Sequence, residues 1–171
     1  MSKVADIAAI GGAQGIDAAL WDRLAGSQSP FARHDFFASL EESGSAVAKT
    51  GWQPLHLAAR DGAGAITGLM PVYGKSHSMG EYVFDQSWAQ AMARAGLDYY
   101  PKLQIAAPFT PATGPRIFSD DEEVAASLIK GVEILASEHG FSSAHATFLN
   151  AQDIGRFEAA GWLLRHDIQF H

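Results

Sequence analysis

Apolar positions along this chain switch between a period of two and a period near 3.6, and the switches divide it into strands and helices. VADIAAI at residues 4–10 reads as a short strand followed by Gly11 and Gly12. Asp17 is placed to cap a helix with Leu20, Trp21 and Leu24 on one face. Ser27 to Pro30 breaks it. A second helix over about 34–43 puts Phe36, Phe37 and Leu40 on its apolar side and stops at Gly44. From Trp52 to Arg60, Leu55, Leu57 and Ala59 alternate with His56, Ala58 and Arg60, the period of a half-buried strand. Asp61-Gly62 begins a turn and Ile66 to Tyr73 returns, which predicts a β-hairpin. Pro71 has no N–H and belongs at an edge or bulge.

Residues 85–96 predict a short helix with Trp88, Ala91, Met92 and Ala95 on one face, and Lys102 to Ala107 a strand. The clearest helix follows: Ser119 and Glu122 form an S-x-x-E capping box, and Val124, Leu128, Val132 and Leu135 recur at helical spacing until Gly140. Ser143 to Leu149 is a strand. Asn150 caps a helix with Ile154 and Phe157 inward, Gly161 ends it, and Trp162 to Phe170 is a final strand. The order predicts one α/β domain over residues 1–171.

Composition narrows the function classes. A chain of 171 residues buries roughly 70% of its unfolded surface and needs no staples. It has no cysteine, which excludes disulfides and thiolate chemistry. A net charge of −7 argues against general nucleic-acid binding, which needs cations to displace counterions from phosphates. No apolar run approaches the roughly 18 residues of a membrane span. Only Lys3 precedes the short IAAI, too little for a signal peptide. The expected location is cytoplasmic. The histidines form no HExxH pair, and His166 and His171, five apart in an expected strand, face opposite sides. No metal site, serine-hydrolase elbow or P-loop is expected.

Chemistry concentrates in KSHSMGEYVFD at 75–85 and YYPKLQIAAPFTPATGPR at 99–116, where Pro and Gly hold loops that present ionisable groups. Glu81 and Asp85 share a face if extended, and carboxylates beside apolar groups separate in pKa, leaving one able to take a proton from an amine. Asp85 equally suits a cap on the helix starting near Gln86. His77 is a third catalytic candidate, or a loop hydrogen-bonding element. Arg116 is able to clamp a carboxylate or phosphate, or to pair with the acidic run at 120–123. Lys102 is placed to bind an anion or to sit solvated. Tyr82, Tyr99 and Tyr100 line an acceptor pocket or fill core. Thr110 and Thr113, in the proline-rich segment, join the substrate-binding candidates. Glu81, Asp85, Tyr100 and Arg116 are expected in one cleft.

The element order, with FEAAGW at 157–162 as a late helix-to-strand turn, resembles the GNAT acyltransferase fold, which implies a mixed sheet with helices on both faces. SPFARHDFFASLEESG at 29–44, GWQPLHL at 51–57, SHSMGEYVFD at 76–85 and PKLQIAAPFTPATGPR at 101–116 are similar to the Fem-like predicted N-acyltransferases of bacteria, relatives of enzymes that add amino acids to peptidoglycan precursors. Members resemble two GNAT-like halves in tandem, and this chain resembles the first. It ends at DIQFH inside an expected strand, which reads as a truncation or a natural fragment. The resemblance implies attack by an acceptor amine, on a small molecule or peptide-like compound, on an acyl or aminoacyl ester. It also implies a partner, either the second half or another copy, covering Trp162, Leu164 and Ile168.

One departure bears on the donor. Acetyl-CoA enzymes of this fold carry a glycine-rich loop whose N–H groups cradle pyrophosphate at a helix N-terminus. Here APFTPATGPRIFSDDEE has Gly114 as its sole glycine, three prolines, and an opening of Asp120, Asp121, Glu122 and Glu123 that repels phosphate. No cofactor is expected on this half, with acyl-CoA or aminoacyl-tRNA as donor in a longer protein. The competing expectation is a non-catalytic domain that recognises a cell-wall or peptide-like ligand.

Overall fold

The computed structural model describes residues 4–26, 29–83 and 85–166. β1 (Asp6–Ile10) leads into α1 (Ala18–Ala25) and α2 (His34–Glu42). The Asp17 carboxylate accepts the Leu20 N–H at 2.8 Å and caps α1. The hairpin is present, but both arms are broken in two. Residues 52–60 form β2 (Trp52–Pro54) and β3 (His56–Arg60), and residues 66–75 form β4 (Ile66–Met70) and β5 (Val72–Lys75). One sheet has the order β1-β3-β4; the other joins β2 and β5 to β6 (Lys102–Ile105) and β7 (Ala144–Ala146) in the order β2-β5-β6-β7. All pairs are antiparallel except β6 with β7.

The arms cross from sheet to sheet at Leu55 and Pro71. Pro71 cannot donate to a ladder, so pairing changes partners there. Leu55 N–H donates to Val72 O at 2.9 Å and Val72 N–H to His56 Nδ1 at 3.2 Å, which carries hydrogen bonding across the break.

Between β5 and β6 lies α3 (Gln86–Arg94), and after β6 come α4 (Glu122–Glu138) and α5 (Ala151–Ala159). Leu57, Ala59, Met70, Val72, Leu103 and Ile105 pack on one side against Val124, Leu128 and Val132 of α4. Gly68 permits the close approach, since a Cβ there would lie 2.5 Å from Val124 Cγ1. On the other side Ala58 and Leu69 pack with Trp21 of α1 and Phe37 of α2. β3 is therefore buried on both faces rather than half-buried as its alternation predicts, because helices cover each side. A groove of about 530 Å³ between β1 and α4 is lined mainly by aliphatic groups such as Ile7, Leu57, Ile134 and Leu135, away from the candidate residues.

Two local expectations change. The cap of α4 is Asp121, whose Oδ1 accepts from Glu123 N (2.9 Å) and Val124 N (3.3 Å). Ser119 instead accepts from Asp121 N and donates to Thr67 O, anchoring the incoming chain to β4. Residues 162–166 form no strand: Trp162 packs on Phe157 and donates to Glu133 Oε1 at 3.0 Å, while Leu163 is fully exposed. Ile168, like residues 167–171 as a whole, lies outside the described residues.

Candidate functional site

Residues directly opposite across paired strands share a face. The registers Trp52↔Lys75↔Lys102 and Tyr73↔Gln104↔His145 therefore place six polar or aromatic side chains on the side of the second sheet opposite α4. The other face of the same strands carries Val72, Gly74, Leu103 and Ile105. Lys75, Lys102 and Gln104 on this polar floor are 0%, 1% and 0% exposed. The connection from Ser76 to Pro101 meets Lys75 and Lys102 through Met79, Glu81 and Asp85, Phe109 packs on Trp52, and Gln104 Nε2 donates to Thr147 Oγ1 at 3.0 Å.

The covering connection supplies the counter-charges. Lys102 Nζ donates to Glu81 Oε2 at 2.8 Å and to Asp85 Oδ2 at 2.6 Å. Asp85 Oδ2 also accepts from Ser78 Oγ (2.7 Å) and Tyr99 Oη (2.8 Å), and Ser78 Oγ lies 2.7 Å from Tyr100 Oη. Lys75 Nζ sits 3.6 Å from the Trp52 ring centroid, donates to Met79 O at 3.3 Å and lies 3.9 Å from Glu81 Oε1. Asp85 occupies the position before α3, but its side chain makes no capping bond and turns to Lys102 instead.

The environment separates these groups. Burial pushes the Glu81 carboxyl up, against the pull of Lys102 and Lys75. Burial also acts on Asp85, but bonds from Lys102, Ser78 and Tyr99 hold it below its ordinary value. Burial brings Lys75 down to about 8, with the Lys102 charge adding and Glu81 opposing. His145, whose Nε2 lies 2.8 Å from Ser143 Oγ, is brought down to about 4 by burial and by Lys102. Two carboxylates with opposite shifts, beside an amine and a neutral imidazole, form a set able to hold an anion and to accept a proton.

A family model for FemAB-like proteins, described as peptidoglycan biosynthesis/recognition, matches residues 12–171. The chain belongs to the FemAB-like family. An aminoglycoside antibiotic 6'-N-acetyltransferase of Acinetobacter baumannii, AAC(6')-Ih, superposes with a TM-score of 0.53 over 97% of this chain and 95% of that chain, at 16% identity. That likeness establishes a GNAT-type mixed α/β fold. No curated protein matches the sequence.

Within this FemAB-like domain not every candidate joins the cluster. Glu81, Asp85, Tyr99, Tyr100 and Lys102 converge at the start of β6, but Arg116 does not. It is 1% exposed and donates to three backbone carbonyls: Thr147 at 3.2 Å, Pro115 at 3.0 Å and Ala112 at 2.9 Å. Those groups lie beyond the far ends of β6 and β7, so the expected single cleft is corrected to two separate places. The acidic run does not pair with Arg116 either; Glu122 binds Arg156 at 2.6 Å. Arg116 is a brace because its own segment folds over it: Gly114 bridges Leu149, Phe118 bridges Leu69, and Asp153 Oδ2 takes the Arg116 and Ile117 N–H groups.

His77 is also committed locally. Its Nδ1 accepts from Met79 N at 3.2 Å and its Nε2 lies 3.1 Å from Thr50 O, bracing the cover on the turn before β2. Thr110 donates to Pro108 O, Thr113 is exposed, and Tyr82 is exposed at φ 56°. The sequence reading passed over Trp52, Tyr73, Lys75, Gln104 and His145. Their signal was polar groups at alternate positions in VYGK and KLQI, which marks a strand with one polar face.

The same floor continues into a second buried network. Glu41 from α2 accepts from His56 Nε2 (2.7 Å), Tyr73 Oη (2.8 Å) and Ala13 N (2.7 Å). Because His56 Nδ1 takes the Val72 N–H, its proton sits on Nε2. Burial alone would raise Glu41, but the His56, Ala13 and Tyr73 contacts bring it below its ordinary value. Among the described residues no cluster of His, Asp and Glu is arranged to hold a metal, and no helix is long and apolar enough to cross a membrane.

Proposed function

We propose that this domain is an N-acyltransferase that moves an acyl or aminoacyl group to an amine acceptor, working with a second GNAT-like half. The observation that carries the reading is family membership over residues 12–171 combined with the acyltransferase fold. In this reading the floor of β5, β6 and β7 receives the acceptor. Glu81, raised by burial, takes the proton that the attacking amine sheds, Lys102 fixes an anionic group of the acceptor, and Tyr99 and Tyr100 shape the wall. The reaction forms an amide bond and breaks the donor's ester or thioester bond, with the donor alcohol or thiol leaving protonated.

The donor's phosphates are not expected on α4. Asp121 occupies the Glu123 and Val124 N–H groups, and Asp121, Glu122 and Glu123 surround that end with negative charge. A hollow of about 200 Å³ beside it, between Arg23, Asn150 and Arg156, has its buried guanidinium tied to Glu122 and Asp153. Calorimetry with acetyl-CoA should show no saturable heat at submillimolar concentration. Mass spectrometry of a muropeptide amine incubated with aminoacyl-tRNA or acyl-CoA and the longest native chain tests the transfer itself. Glu81→Gln should cut its rate about a hundredfold, as for loss of a general base. Absence of any product with either donor would overturn the assignment.

A second reading is favoured by burial. With Lys75, Lys102, Glu81 and Asp85 at most 3% exposed, the domain as folded keeps Glu81 from an attacking amine, which suits recognition of a cell-wall peptide without turnover. Muropeptide binding with no product in the same assay selects it.

A further inference from the structure

The charges over the polar floor are unevenly divided. Both cations, Lys75 and Lys102, stand on strands pinned by the β5–β6 ladder. Both anions, Glu81 and Asp85, belong to the covering connection. If the cover lifts, the anions leave with it and the two lysines remain in place beside Trp52, Gln104 and His145.

The helix of the cover is weakly anchored by apolar contact. Not one residue of α3 is buried. Met79, Tyr82, Trp88 and Leu97 stand 68%, 59%, 56% and 58% exposed around it. Tyr82 holds φ 56°, a left-handed conformation that costs a tyrosine free energy. Segments with few buried apolar contacts are the ones that open at low cost.

The fit of cover to floor is also incomplete. Among the described residues, the buried side-chain atoms without a hydrogen-bond partner are His34 Nδ1, Trp52 Nε1, Glu81 Oε1, Asp85 Oδ1 and Gln104 Oε1. All but the first belong to this floor or its cover. Buried polar groups are ordinarily satisfied, so their concentration here marks a place built for something other than its present contents.

We propose that Lys75 and Lys102 form a binding site for a carboxylate-bearing ligand of amino-acid or peptide type, which Glu81 and Asp85 occupy as internal stand-ins. The present occupants are themselves carboxylates, held at 2.6 and 2.8 Å by Lys102. The free Gln104 Oε1 supplies an acceptor for a ligand N–H, which a peptide or amino acid carries and a bare phosphate does not. Opening also returns Glu81 and Asp85 to water, which offsets part of the lost pairing. The assignment concerns binding alone and does not rest on the transfer reaction.

Calorimetry of the whole chain with N-acetylalanine, and separately with inorganic phosphate, tests it. Gly80 sits at φ 80°, and a Cβ there would lie 2.5 Å from Phe109 Cδ1. Gly80→Ala thus strains the covered state without touching any charge, and N-acetylalanine should bind about tenfold tighter as the open fraction grows. Tyr82→Gly relieves the left-handed strain, and affinity should fall about fivefold. Lys75→Met should lower affinity at least about tenfold. The proposal is overturned if affinity moves in the same direction in the two loop variants, or is unchanged in Lys75→Met. Phosphate bound with N-acetylalanine ignored would equally overturn the carboxylate assignment.

Discussion

Lys102→Met removes the cation that two buried carboxylates share. Its Nζ lies 2.8 Å from Glu81 Oε2 and 2.6 Å from Asp85 Oδ2, and both carboxylates are 3% exposed. Removing one partner of a buried ion pair typically costs about 3–5 kcal/mol, because the remaining charge stays out of water. Here the carboxylates have an escape. They sit on a connection whose helix buries no residue, so lifting it rehydrates both charges at little loss of apolar burial. The variant should therefore lose only about 1–2 kcal/mol of global stability, while the cover opens locally. Urea unfolding followed by far-ultraviolet circular dichroism reads the first quantity. Native-state hydrogen exchange by mass spectrometry reads the second, with peptides from 76–101 losing protection and those from 66–72 keeping it. Adding Glu81→Gln and Asp85→Asn should restore most of the loss, since no unpaired charge then remains. A global loss near the full range with unchanged protection over 76–101 would refute the reasoning, because the cover would then be part of the cooperative core. So would a variant indistinguishable from wild type in both measurements.

Burial brings Lys75 to about 8, below its unfolded value, so the folded chain binds this proton more weakly. Stability should accordingly rise between about pH 8 and 10.4, by up to about 3 kcal/mol, in the difference between wild type and Lys75→Met. Glu41→Gln should cost about 2–3 kcal/mol in urea unfolding, since a buried carboxylate accepting from His56, Tyr73 and Ala13 is replaced by a group that accepts less and must place two N–H donors. The Glu41 contribution is present above the ordinary carboxyl value and is lost as pH falls through its lowered folded value, so the gap between wild type and variant should narrow in acid. Arg116→Met should cost about 3 kcal/mol by stripping donors from the Ala112, Pro115 and Thr147 carbonyls, while leaving binding of N-acetylalanine unchanged. Asp121→Ala should cost about 1 kcal/mol, and Ser119→Ala should leave the Glu123 and Val124 N–H groups capped.

The sequence by itself determined the helices, the strands before Trp162 and their order, because helix periodicity, caps and turn residues act over a few positions; the strand expected from Trp162 does not form over residues 162–166. Asp17 and Asn150 cap the helices they precede, and Leu128 and Val132 face the core at their predicted spacing. The loop motifs also marked Glu81, Asp85, Tyr99, Tyr100 and Lys102, in one group with His77, Tyr82 and Arg116, which the structure sets apart. What tertiary structure decided was everything that depends on which surfaces meet. The break of each hairpin arm at Leu55 and Pro71 comes from pairing with two different sheets. His56, which alternation placed on a solvent face, is buried because α1 and α2 cover that face and α2 delivers Glu41 to it. Lys75, which the sequence places at the start of a loop, ends β5 and is buried beneath the connection that carries Met79 and Glu81. Arg116 and Glu81 look like neighbours in adjacent loops, yet the length of β6 separates them, since one segment leaves its end and the other packs on its start. Local pattern says which residues are polar on a strand; only the register of β2, β5, β6 and β7 aligns them into one floor, and only the cover makes that floor a buried site.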